Sequence, residues 1–112
     1  MAGESDPAAL QKIGFALYDA ARYKEALALF EKMEAGAGNS QNTQATVLIW
    51  QGQMLDLLGP RKEAVARYQK VADMGLNAEK VHAQYGLSYK FSPYAQERLA
   101  TPFTRVENKN DD

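Results

Sequence analysis

PAALQKIGFALYDAARYKEALALFEKMEAG, residues 7–36, is the stretch on which the reading of this chain turns. Asp6-Pro7 opens it as a helix start: the Asp carboxylate accepts bonds from exposed amides, and Pro fits the first turn. A helical pattern then runs to about Ala20. A second begins near Tyr23 and stops at Gly36. Its apolar positions Tyr23, Ala26, Leu27, Phe30 and Met33 form a stripe on one helix face.

Beyond this stretch, the small, polar, glycine-bearing run 36–42 reads as a loop. A third helix is expected from Thr43 to Leu58, with β-branched Thr46, Val47 and Ile49 making its first half less helix-prone. Gly59-Pro60 ends it and opens a fourth helix to about Met74, with Gly75 as its stop. Asn77 caps a fifth helix, which is expected to run through His82 and Tyr85 to about Lys90. Ser92-Pro93 launches a sixth, to about Ala100, and Pro102 closes it. Strand signals are nearly absent. The expected class is all-α, with six helices joined by short turns.

The helix pattern repeats. Gly14 and Gly52 lie 38 residues apart, as do Leu17 and Leu55, Ala26 and Ala64, and Phe30 and Tyr68. Gly86 and Tyr89 lie 34 residues beyond Gly52 and Leu55, and the 36–42 loop accounts for the difference. A small residue where helices cross lets their axes approach, and large residues a turn away fill the gaps. This helix-turn-helix unit resembles the tetratricopeptide repeat. Leu10, Ile13, Gly14 and Leu17 take its first-helix slots, and Ala26, Phe30 and Met33 its second. The segment Ala21–Leu27 is similar to the family's turn between helices. Leu48, Gly52, Leu55, Ala64, Tyr68 and Val71 fit a second unit, with Gln51 a departure. A third keeps His82, Tyr85, Gly86 and Tyr89 and then fails at Arg98 and Pro102. The resemblance implies a short right-handed superhelix. It consists of repeat 1 over about 7–40, repeat 2 over about 45–78, and a degenerate third with its cap over about 79–103. Residues 1–6 and 104–112 are read as flexible ends.

Composition narrows the function. The chain has 112 residues, 46% hydrophobic, with 13 basic and 14 acidic side chains. That length suits one domain with a thin core, and the near-neutral balance argues against general nucleic-acid binding. Arg61, Lys62, Arg67 and Lys70, interrupted by Glu63 and Asp73, read as a solvated helix face. Without cysteine there are no disulfides, zinc-thiolate sites or cysteine nucleophiles. The start lacks a secretory pattern, and the longest apolar run, Val47 to Trp50, is far too short to span a bilayer. A cytoplasmic protein with no membrane partner is expected.

No phosphate loop, HExxH, GxSxG or EF-hand pattern occurs. His82, the single histidine, falls where a bulky packed residue belongs, so a satisfied ring is expected rather than a base or ligand. Glu31 with Glu34, and Glu25 near Lys24, read as solvated faces. Asp19 and Asp56, at similar ends of the first and third helices, hint at groove polarity. No enzyme activity, metal or cofactor is expected.

In the family resembled, the first helix of each pair lines a concave groove that binds peptides or helices. Carried over, this implies partner-binding positions at Gln11, Phe15, Tyr18, Ile49, Trp50, Gln53, Lys80 and Leu87. The donors of a carboxylate clamp are missing: the matching positions hold Gln11, Phe15, Trp50 and Gln84, which leaves Lys80 alone. Phe15 and Ile49 could equally pack between first helices, whereas Trp50 and Tyr18 are expected to touch the partner. An apolar peptide or helix of a protein partner is the expected ligand. The competing expectation is self-assembly, since little more than two repeats leaves a core that a dimer would finish.

Overall fold

Five helices and one β-hairpin follow one another along residues 7–109, the part of the chain that the computed structural model describes. The expected Asp6 cap, the flexible 1–6 segment and the end of the expected tail at 110–112 lie outside the described residues. Helix α1 spans Pro7–Asp19 and α2 spans Tyr23–Ala35. Between them Arg22 N–H bonds Leu17 O and Ala21 N–H bonds Tyr18 O, with Ala21 left-handed at φ 61°. This is the paired closure that normally uses glycine at that position.

Helix α3 spans Gln41–Leu58, starting two residues before the expected Thr43 because the Ser40 hydroxyl accepts the Thr43 N–H. Helix α4 spans Arg61–Ala72. Each helix packs on the next, α1 on α2, α2 on α3 and α3 on α4. The repeated glycine–aromatic pairs make matching contacts. A Cβ at Gly14 would stand 2.8 Å from the Phe30 ring, and one at Gly52 would stand 2.7 Å from the Tyr68 ring. Both helix crossings are thus too close for any side chain on the first helix.

Gln51, the departure in the second unit, is fully buried and satisfied. Its amide donates to Phe30 O and Glu34, while its oxygen accepts from Arg67. It therefore ties α2, α3 and α4 together. Arg67 and Arg61 are only partly exposed and engaged in this way, so the basic side of α4 is not simply a solvated face.

The expected fifth helix is not formed. Residues Glu79–His82 (β1) and Leu87–Lys90 (β2) make an antiparallel pair around a 3₁₀ turn at Ala83–Tyr85. Gly86 closes the turn at φ 66°. Register sets Glu79 opposite Lys90, a favourable pair of charges, and puts Lys80, Tyr89, His82 and Leu87 on one face. The chain is therefore mostly helical with a small two-stranded sheet, and the third unit is not a helix pair.

Helix α5 spans Phe91–Ala100 and packs on α4. Ser92 is not its cap. Buried, it accepts the Leu76 N–H and donates to Val71 O, stitching α5 to the exit of α4. The expected loose tail is also corrected: residues 103–109 run back across α1 and α3 in bonded contact. Two apolar clusters result. One joins α1, α2 and α3 with Tyr85 and Phe103; the other joins α3, α4, β2 and α5.

Candidate functional site

Five of the eight expected contact residues lie inside the protein. Phe15, Tyr18, Ile49, Trp50 and Gln53 are buried, with Trp50 only 1% exposed, so none of them is a surface contact. The reason is that the hairpin and the C-terminal segment cover the side of α1 and α3 that the sequence left open. Trp50 is ringed by Phe15, Tyr18, Phe30, His82, Tyr85 and Phe103, at centroid distances from 4.8 to 6.3 Å. Gln53 accepts the Tyr94 hydroxyl at 2.5 Å, and its amide nitrogen has no hydrogen-bond partner among the described residues. Gln11, Lys80 and Leu87 remain half-buried at the edges.

The covering segment is gripped through its backbone and its side chains alike. Phe103 N–H donates to Asp56 Oδ2 at 2.9 Å, while its ring enters the Trp50 cluster. The Tyr18 hydroxyl both donates to Val106 O, at 2.6 Å, and accepts Val106 N–H, at 2.8 Å. Asn108 donates to Asp19 Oδ2 at 2.9 Å, and Lys109 N–H to Gln84 O at 2.6 Å. Arg105 reaches the C-terminal carbonyls of α1, donating to Tyr18 O, Asp19 O and the Tyr23 hydroxyl at 2.8–3.0 Å. Its guanidinium also lies over the Tyr18 ring. A cation at these carbonyls complements the helix dipole. Arg61 does the same at the far end, bonding Asp56 and the carbonyls of Arg98 and Leu99.

Asp19 and Asp56, read from sequence only as groove polarity, are the two acidic posts of this arrangement. Each also accepts a tyrosine hydroxyl, Tyr85 on Asp19 and Tyr68 on Asp56, both at 2.8 Å. Burial, then the bonded carboxylate, raise both tyrosines far above the ordinary phenol range. These hydroxyls are fixed donors rather than proton-transfer groups. Tyr18 and Asp56 occupy equivalent places in the two repeats, 38 residues apart, and both hold the segment. That equivalence was present in the sequence; what it held was not.

His82 sits in the apolar cluster with Nε2 accepting from Trp50 Nε1 at 3.2 Å and lying 3.3 Å from the Tyr89 hydroxyl. Burial, reinforced by Lys80, lowers its pKa to about 4. The ring is neutral at pH 7, closed off from solvent and already bonded.

One opening persists on this side. A cleft of about 390 Å³ lies between α1, α3 and β1. Met33 and Val47 line its apolar part, and Gln11, Asn42, Thr43 and Lys80 supply polar groups. Two of the sequence-derived residues, Gln11 and Lys80, thus meet there. Among the described residues no group of three or more His, Asp or Glu side chains could hold a metal ion. None of the described helices is long and apolar enough to cross a membrane. Comparison with protein-family models, with curated proteins and with solved structures returned no match.

Proposed function

We propose that this chain is a non-enzymatic protein–protein interaction module of tetratricopeptide-like architecture, docking a segment of a protein partner beside its first helices. The matching glycine–aromatic crossings of the two helix pairs support the architecture. The observation that carries the function is the open cleft at Gln11, Asn42, Thr43 and Lys80. It offers an apolar floor, one ammonium group and no proton-transfer group. A partner places an acidic or carbonyl oxygen at Lys80, in the space bounded at its base by Met33 and Val47. This is narrower than a full-length apolar groove, because residues 103–109 and the hairpin occupy the rest.

The test is capture of a partner by the immobilised full chain and by its Lys80→Glu variant. The expected result is one protein retained by the wild type and lost by the variant, with unchanged helical circular dichroism. Retention by both removes the cleft from the interaction. A second reading, self-assembly, draws on Ile13 and Val81, large apolar side chains left exposed on α1 and β1. Molar mass measured by light scattering separates the two: a stable dimer dispersed by Ile13→Lys and Val81→Lys favours self-assembly.

A further inference from the structure

Residues 103–109 differ from an ordinary packed terminus in how they are held. The receptor groups Asp56, Tyr18 and Gln84 bind main-chain atoms of Phe103, Val106 and Lys109, and bonds of this kind accept any extended backbone. Selectivity comes from four side chains, one of them Asn108, which donates to Asp19. Phe103 fills a place in the Trp50 cluster, Arg105 meets the α1 carbonyls and Tyr23, and Val106 packs at the edge of the same cluster. The seat is electronegative, framed by Asp19, Asp56 and the C-terminal end of α1, which suits the cationic side chain now in it. The segment hangs from α5 by the exposed residues Thr101 and Pro102. Its departure would dismantle no helix.

We infer that this seat is a peptide-recognition site whose ligand is an extended segment of the pattern aromatic–any–Arg–aliphatic. The chain's own 103–106 is a resident copy, which a partner protein's segment of that chemistry replaces. The inference rests on the interaction reading above but uses a different surface from the Lys80 cleft. The resident copy taxes every incoming ligand, because only molecules with a vacated seat are competent to bind.

The probe is a fluorescein-labelled peptide, PFTRVENKND, the sequence of residues 102–111. Anisotropy titrations use the full-length wild type and its Arg105→Ala variant, which weakens the resident copy while leaving the seat intact. Expected is binding to the variant about tenfold tighter than to the wild type. A peptide with Ala in place of its Phe or Arg binds the variant at least about tenfold more weakly than the parent peptide. Tyr18→Phe, introduced into the Arg105→Ala chain, reduces binding further by removing the hydroxyl that pairs both main-chain groups of Val106.

Should Arg105→Ala not fold, the wild type alone decides. Excess peptide must then move the Val106 and Lys109 amide resonances to unbound positions and speed their hydrogen exchange. Absence of binding to the folded variant, or indifference to the Phe and Arg replacements, overturns the inference. So does a wild-type dimer that keeps the Val106 amide protected and refuses the peptide, since the seat then belongs to a second copy. If the peptide fails while Lys80→Glu still abolishes capture, only this inference falls. If the peptide binds but Lys80 is irrelevant to capture, only the cleft assignment falls.

Discussion

Ala21 is the residue whose backbone is least suited to its side chain. It holds φ 61° at the end of α1, where a Cβ crowds the neighbouring carbonyl, and no other non-glycine described residue has positive φ. Ala21→Gly keeps both closing bonds and removes that crowding, so a gain of about 1 kcal/mol in urea unfolding is expected. The opposite holds at Gly52, where a Cβ would sit 2.7 Å from the Tyr68 ring. Gly52→Ala recovers up to about 1 kcal/mol of helix propensity but forces a shift costing about 1–3 kcal/mol. The expected net result is a lower urea midpoint, and an unchanged or raised midpoint would show that the ring yields freely. Gly52 and its counterpart Gly14 are the clearest signal in the sequence, because only a close crossing explains glycine in mid-helix twice at one spacing. Trp50 is ambiguous in the sequence for a related reason: an aromatic on a first helix looks the same whether a partner or the chain's own terminus covers it.

At the scale of elements, the two helix pairs were legible and the hairpin was not. In α1 through α4 the apolar stripe, the Gly stops and the Pro starts at 7 and 60 agree, so helix boundaries lie within a few residues of those expected. In residues 79–90 the inward residues His82, Tyr85 and Tyr89 are spaced by three and four, which imitates a helix face. The fold meets that spacing differently: a four-residue turn resets the phase between two short strands, so all three rings still point inward. Gly86 is the pivot, at φ 66°. Gly86→Ala is expected to cost about 1–2 kcal/mol in urea unfolding, and to raise hydrogen exchange in 79–90 before α3 is affected. Uniform exchange across both regions would mean that hairpin and helices unfold together. Segment 103–109 is not legible in the sequence for another reason. Its composition is charged and polar, and half of its bonds to the rest of the chain run from main-chain groups, which leave no mark on a pattern of side chains.

At the scale of the whole molecule, the buried histidine makes stability depend on pH in a window of its own. His82 meets rings of α1, α3 and β2, so its charge state is felt by all three. Folding lowers its pKa from 6.5 to about 4, so between those values the unfolded chain binds more protons than the folded one. The histidine's contribution is therefore fully present above pH 6.5 and is lost as pH falls towards 4, in total about 3 kcal/mol. The sign is opposite to that of a histidine paired with a carboxylate. Trp50, the single tryptophan, donates to this ring and reports the event through its fluorescence. Urea midpoints followed by that emission should be flat from pH 8 to 6.5 and then fall steadily to pH 4. His82→Phe keeps an aromatic ring in the cluster but leaves the Trp50 N–H unpaired, so it lowers the whole curve by about 1–3 kcal/mol. It should also remove the slope between pH 6.5 and 4. A slope that survives in the variant would place the titration on a group other than His82.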